Sequence, residues 1–405
     1  MIDPKLLRER PDYVKDVCRV KNAAVDIDLV LSLDAKRRDL SGKLDEVNRQ
    51  RKEAAGTKDV EAGKRLKQEA SLLEKEVAAV EEQLNPLLLK IPNPPSADTP
   101  VGKDDAENVV LRKWGTPKEF AFKVKDHVEL GEALGFLDAK RGADVAGARF
   151  TYLKGDLVLL QNALYQFALS VLLDERKLAA IAKAAGLNVP SKAFMPVVPP
   201  LFIKPDVFQK MARLEPRDER YHIASDDAYL IGSAEHTLGP LHMGEVLKES
   251  DLPLRYFAYT PAFRREAGSY GKDVKGILRQ HQFDKVEMES FTVAEASQDE
   301  QEFFVAIQEH FMQKLGLPYQ VLITCTGDMG DPDARHLDLE TWMPGQGKYR
   351  ETHSADLMTD YQTRRLGTKV KRGEGKSEFV HTNDATAMAM GRLLIAVMEN
   401  GQQED

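Results

Sequence analysis

Between residues 28 and 90 the apolar positions recur at alternating steps of three and four, twice over. Val30, Leu33, Arg37, Leu40, Leu44, Val47 and Arg51 mark the first run; Leu66, Ala70, Leu73, Val77, Val80, Leu84 and Leu87 mark the second. Such a heptad seam is stable only against a facing helix. The connection "AAGTKDVEAG" is short and holds Gly56 and Gly63, so each run is the other's partner, folded back antiparallel. At the helical rise, ~25 residues make a rod of roughly 38 Å. Pro86 predicts a kink or an early stop in the second helix. "IPNPPSADTP" (91–100) then reads as a rigid extended linker. Two uses fit the hairpin: a structural or dimerising helix pair, or an arm that reaches a ligand.

The remainder is large enough for a core of its own. A chain of 405 residues is long for one core, which favours two domains. With 42% hydrophobic and 30% charged residues, the composition is that of a soluble globular protein. The net charge of −8 argues against general coating of nucleic acid but allows a local basic face. Two cysteines, Cys18 and Cys325, build neither a disulfide framework nor a thiolate zinc site and fit a reducing cytosol. "MIDPKLLRERPD" lacks the apolar stretch of a signal peptide. No run of about 20 apolar residues is present, so no membrane span is expected.

Past the linker, residues 127–143 and 155–186 have helical spacing. From 194 onward short β-rich runs follow one another: "FMPVVPPLFI", "AYLIG", "LRYFAYTPAF", "DKVEMESFTV", "YQVLITCTG" and "RHLDLETWMP". An amphipathic helix interrupts them at 297–317, and 381–400 reads as a strand end running into a helix. Strands in series with helices between some of them predict an α+β domain on a largely antiparallel sheet.

Chemistry concentrates in "TPAFRREAGSYGKDVKGILRQHQFDKVEMESF" (260–291). If 256–266 and 278–291 are antiparallel neighbours, Arg264 and Glu266 share a face, as do Arg279, His281, Phe283, Lys285 and Glu287. A guanidinium fork suits phosphate, an aromatic ring stacks on a base, and a carboxylate accepts from an exocyclic amine. Together they describe an ATP site without a P-loop, and no G-x-x-x-x-G-K-[ST] occurs in the chain. An exposed hairpin of paired surface charges is the alternative. In "KYRETHSADLMTDYQTRR" (348–365), Glu351 and Ser354 are hard oxygen donors that suit Mg²⁺ beside phosphates, or else belong to a polar loop. Arg392 opens an apolar helix in "GRLLIAVMEN". A cation at a helix start is electrostatically unfavourable, which a nearby phosphate would explain, although an ordinary surface residue would too.

These segments resemble the signature regions of class II aminoacyl-tRNA synthetases, and nearly the whole chain resembles the seryl-tRNA synthetase family. The likeness runs through "MIDPKLLRERPD", "KIPNPP", "HVELGEALGFLD", "FRREAGSYGKDVKGILRQHQFDKVEM", "TGDMGDPDARHLDLETWMPGQGKYRETHS" and "HTNDATAMAMGR". It implies a class II antiparallel sheet with flanking helices in a catalytic domain (101–405). An N-terminal tRNA-binding domain (1–100) would carry the long antiparallel coiled-coil arm (about 28–90). Motif 1, the dimer element, would lie near 190–203, motif 2 near 254–291 and motif 3 near 380–400.

The resemblance also assigns roles. Arg264, Arg279 and Arg392 would be the catalytic arginines: Arg264 on the α-phosphate and the serine carboxylate, Arg279 on the β- and γ-phosphates, Arg392 with Phe283 around adenine. Glu266 would meet the adenine amine. Glu351 and Ser354 would hold Mg²⁺. Serine would be held by Ser233, Glu235, Glu287, Thr382 and Asp384 with Arg264. The implied partners are ATP, L-serine, the long variable arm of tRNA(Ser), gripped by the hairpin with Arg37, Arg51 and "RQRK" (49–52), and a second copy of the chain. The cytoplasm is the implied compartment.

Three departures from the family pattern stand out. Its T-x-E reads Ser233-Ala234-Glu235. Leu357 replaces an asparagine after Ser354. Asp384 replaces the asparagine of T-L-N-G, adding a charge beside two carboxylates; that weakens serine binding or raises a neighbouring pKa. Two other readings are kept: a paralogue that binds tRNA or partners without catalysis, and an adenylating enzyme that serves a carrier protein. The phosphate-binding arginines oppose the first and the full-length arm opposes the second.

Overall fold

The computed structural model describes residues 1–267, 275–375 and 377–404. The chain divides into two units, 1–94 and 95–405. In the first, short helices α1 (Pro4–Glu9) and α2 (Pro11–Val20) precede the long pair α3 (Ile27–Gly56) and α4 (Val60–Leu89). Each long helix starts at an aspartate cap: Leu29 N donates to Asp26 at 3.0 Å and Ala62 N to Asp59 at 3.0 Å. The seam is as the periodicity predicts, with Val30, Leu40 and Val47 buried on one helix and Leu66, Ala70, Val80 and Leu84 on the other. Both helices have 30 residues, a length of roughly 45 Å.

Pro86 does not stop α4, contrary to the sequence expectation. One missing N–H is cheap in the last turn, and Leu88 beyond it is buried, which holds the turn in place. Arg37 is not free along the seam. It lies 3.3 Å from the buried Asp34, which also receives Arg38 at 3.1 Å and Arg8 at 3.4 Å.

The second unit is built on one sheet. Its strands, in chain order, are β1 (Val109–Trp114), β2 (Met195–Pro196), β3 (Leu254–Phe263), β4 (Gln282–Thr292), β5 (Tyr319–Ile323), β6 (Arg335–Met343), β7 (Lys348–Thr359) and β8 (His381–Ala389). Their spatial order is β1-β5-β6-β7-β8-β4-β3-β2. All pairs are antiparallel except the short β2–β3 contact. The α+β class with flanking helices follows.

Alternation decides which face does what. On one face Val286, Met288, Leu337, Leu339, Ala355, Ala385 and Ala387 join the main apolar core under α7 (Asp156–Leu172), α11 (Ser297–Leu315) and α13 (Met390–Gly401). The residues between them are polar and point the other way. Among these, His336 pairs with Asp356, Asp356 with Asp384, and Asp384 with Glu289, so four ionisable groups form a row across β6, β7, β8 and β4.

Four other expectations change. Helix 127–143 breaks at Gly135 (φ 69°) into α5 (His127–Ala133) and α6 (Ala139–Ala146). Helix 155–186 breaks at Asp174, whose side chain caps α8 (Glu175–Ala184) by accepting from Arg176 N at 2.9 Å. Only residues 195–196 and 202–203 of "FMPVVPPLFI" pair, because its prolines cannot donate to a ladder. The cluster at 348–365 is strand β7 followed by helix α12 (Tyr361–Leu366), not a loop. Among the described residues no single helix is long and apolar enough to cross a membrane.

Candidate active site

The polar face of the sheet borders a cavity of about 360 Å³. Arg264, Glu266, Arg279 and Phe283 line it from the β3–β4 end, and Glu351, Ser354 and Arg392 from β7 and α13. Here the strand assumption fails in detail. β3 ends at Phe263 and β4 starts at Gln282, so Arg264, Glu266, Arg279 and His281 lie outside the pleat. Glu266 has a φ of 53°, which re-aims its side chain; Arg279 Nε lies 3.1 Å from it. His281 points away from the cavity and packs on Phe150, its Nδ1 3.0 Å from the carbonyl of Arg264. Residues 268–274 of the loop "GSYGKDVKG" (268–276) are outside the described residues.

Arg264 donates from Nε to the carbonyl of Gly232 at 3.0 Å, and its guanidinium carbon stands 5.5 Å over the Phe283 ring. The chain is close-packed where these groups meet. A side chain on Gly391 would come within 2.8 Å of the Ile277 carbonyl, so glycine there lets the 275–280 turn sit against the start of α13. Glu351 and Ser354 are an odd number of residues apart and would face opposite ways on a regular strand. The register shift between Leu339 and Glu340 places a bulge at Thr352, and the bulge returns both to the cavity. Glu351 pairs with Arg392 at 2.9 Å. Burial opposes its charge, but Arg392 prevails and pulls the carboxyl down to about 2.

At the other end of the cavity lie Arg213, Glu235, Lys285, His336, Asp356 and Thr386. Ser233, Glu287 and Asp384 are buried just behind. Lys285 Nζ lies 2.7 Å from Glu287 and donates to Ser233 Oγ at 3.3 Å. One oxygen each from Glu235, Glu287 and Asp384 converge within 4.8 Å of one another. Thr382 is not part of this group. It stands opposite Phe291, four residues along β8 from Thr386, which is the residue opposite Glu287. That is ~13 Å at the strand rise.

Curated serine–tRNA ligases of Novosphingobium aromaticivorans and Brucella canis are each 40% identical to the chain over 420 aligned positions, covering 100% of it and 95% of their own length. The chain belongs to the seryl-tRNA synthetase family. A family model for the seryl-tRNA synthetase N-terminal domain matches residues 1–95, and one for the tRNA synthetase class II core domain (G, H, P, S and T) matches 220–401. Among solved structures, the seryl-tRNA synthetase of Pyrococcus horikoshii complexed with ATP is similar, with a TM-score of 0.89 and 35% identity over 100% of this chain and 95% of that one. The cytoplasmic serine–tRNA ligase of Naegleria fowleri in complex with AMP gives 0.86 and 30%, over 100% and 94%.

In this seryl-tRNA synthetase family member, burial and crowded carboxyls set the electrostatics of the site. Burial, with Glu235 and Asp356 nearby, pushes the Asp384 carboxyl well above the usual range. Burial, then Glu235 and Glu287, do the same to Glu289. Partial burial opposes a charge on His336, yet Asp356 and Asp338 on either side hold it well above an ordinary imidazole. Arg213, His336, Asp338 and Asp356 were not picked out from the sequence. The alternation in "RHLDLETWM" is a signal for His336 and Asp338; Arg213 has none.

Glu287, 1% exposed, is pushed up to about 7, chiefly by burial. Its ordinary value is about 4.3. The folded state therefore binds this proton more tightly than the unfolded chain. The stabilisation is complete below the ordinary value and is lost as pH rises through 7. Glu287→Gln is accordingly expected to raise Tm more at pH 8 than at pH 5. Equal shifts at both pH values would refute the assignment.

Proposed function

We propose that the protein activates L-serine with ATP to seryl-adenylate and pyrophosphate, then transfers the seryl group to tRNA(Ser). The observation that carries this reading is that one cavity has phosphate-type arginines and an aromatic ring at one end and converging carboxylates at the other. Arg264 holds the α-phosphate and the serine carboxylate together. Phe283 and Arg392 enclose adenine, Glu266 accepts from its amine, and Arg279 takes the distal phosphates. Glu235 receives the serine ammonium, Glu287 its hydroxyl, and Ser233 and Asp384 support that end.

In the first step a serine carboxylate oxygen attacks the α-phosphorus and the bond to the pyrophosphate oxygen breaks. In the second, a terminal ribose hydroxyl of the tRNA attacks the seryl carbonyl and AMP leaves. Neither step requires a dedicated side-chain base; positioning and fixed charge supply the rate. A buried carboxylate that expects a hydroxyl rejects alanine well, because it would be left unpaired.

The donor set fits Mg²⁺: Glu351, held ionised, and Ser354 share one face by virtue of the bulge. When bound, the ion would neutralise phosphate charge. Glu351 pairs with Arg392 and Glu266 with Arg279, so ATP binding exchanges partners. Motif 1 joins two copies of the chain. In its favour, Met195 and Phe202 are exposed there and Val198 is 96% exposed, more apolar surface than a short surface segment usually shows. The hairpin grips the long variable arm of the tRNA, and the cytoplasm is the site of action.

Serine-dependent ATP–pyrophosphate exchange tests the reading. Exchange with serine, followed by charging of tRNA(Ser), is expected. No exchange with any amino acid would point to a binding paralogue, and exchange without charging to a carrier-protein partner.

A further inference from the structure

Arg213 belongs to no motif and to no helix or strand. It follows α9 (Pro205–Lys210) in a turn where Ala212 takes a φ of 57°. The turn is fixed from both sides: Gln362 Nε2 donates to the Met211 carbonyl at 3.0 Å, and Arg220 Nε to the Arg213 carbonyl at 3.0 Å. The side chain, 16% exposed, then enters the amino-acid end of the cavity. Its Nε lies 3.1 Å from Glu235, and its Nη2 lies 3.3 Å from Asp333, 3.3 Å from Asp356 and 3.7 Å from Asp384. One cation thus faces four carboxyl groups from four separate segments.

Of the other cations nearby, two are committed or uncharged. Lys285 is on Glu287 and Ser233. His236 is 3.5 Å from Glu235, but burial holds its imidazole near 4, so it is neutral at pH 7. Glu289 is buried without a hydrogen-bond donor on its carboxyl and adds to the crowding. Burial alone would protonate Glu235. Arg213, the largest opposing influence, keeps its carboxyl well below the usual range. A protonated Glu235 would be a poor acceptor for an ammonium group.

We infer that Arg213 is a positioning residue for the amino-acid substrate: it is the counter-ion that holds the Glu235 carboxylate in place to receive the substrate's α-ammonium group. The inference rests on the reading of Glu235 given above. It adds that the strength of amino-acid binding is set by a residue that belongs to none of the three synthetase motifs.

The test is steady-state pyrophosphate exchange with Arg213→Met, which keeps length and loses charge, and with Arg213→Lys. Losing a charge-assisted contact of this kind is worth at least about tenfold. Arg213→Met is expected to raise the KM for serine by about that factor or more, with the KM for ATP changed less than about threefold. Arg213→Lys is expected to recover most of the loss. A serine KM raised less than tenfold in Arg213→Met would overturn the inference, as would serine and ATP KM values that rise together without rescue by lysine. If Arg213→Met does not fold, Arg213→Met/Asp333→Asn, which removes one crowded carboxylate as well, is judged by the same criteria. Glu235→Gln separates the two claims. If it leaves serine KM unchanged, the reading of Glu235 is wrong. If it raises serine KM while Arg213→Met does not, only the role of Arg213 falls.

Discussion

Arg264→Ala is expected to lower serine-dependent pyrophosphate exchange by about 10²–10³-fold, the usual effect of removing one group aimed at developing charge. Fold and association should survive. Among the described residues the side chain has one hydrogen bond, to the Gly232 carbonyl, and one ring contact, with Phe283. Its main-chain bond to the His281 carbonyl, 3.0 Å, is kept in alanine. Little structure depends on the guanidinium, so a large kinetic effect would be catalytic in origin. Arg264→Lys should recover only part of the loss, because an ammonium cannot bridge a phosphate and a carboxylate as a planar fork does. Near-normal exchange in Arg264→Ala, with unchanged Tm, would remove this arginine from the mechanism.

How far such residues could be read from sequence depends on what aims them. The coiled-coil seam was legible because period and burial are the same fact: Val30, Leu40, Leu66 and Leu84 repeat where a partner helix must be. Phe283, Lys285 and Glu287 were legible because β4 alternates cleanly against Val286 and Met288. Glu351 and Ser354 were read as a pair, but what makes them one is a bulge at Thr352 that sequence spacing contradicts. Glu266 depends on a left-handed backbone, and Arg213 on a turn with no periodicity. Asp384 is the instructive case. Its charge predicted conflict with two neighbouring carboxylates, but burial and Glu235 push its own carboxyl well up instead. A protonated aspartic acid offers one donor and one acceptor, the same kinds of group as the asparagine it replaces in the family pattern.

Deleting residues 38–82 is expected to leave serine-dependent exchange within about twofold, but to lower charging of tRNA(Ser) by ~10²-fold or more, the scale of several lost phosphate contacts at physiological salt. The cut is structurally reasonable. Arg37 and Glu81 approach within 4.0 Å, so a short glycine–serine link can join 37 to 83. The base of the hairpin keeps Val30, Leu84, Leu88 and Ile91, which are buried, and Asp34 keeps Arg8 and Arg37 although it loses Arg38. The active-site sheet packs in a core of its own. Within the arm the charges differ in availability. Arg49 is tied to Glu46 at 2.6 Å and Arg37 to Asp34, whereas Lys52 near the tip is exposed and Arg51 donates to a neutral asparagine, Asn48, at 3.0 Å. Reversing those two charges, Arg51→Glu with Lys52→Glu, should therefore reproduce part of the charging defect in the full-length chain and flatten its salt dependence. Unchanged charging in the deletion would make the hairpin a structural element only. A defect in the deletion with none in the charge reversal would mean that the arm is read by its shape, and that its basic tip is incidental.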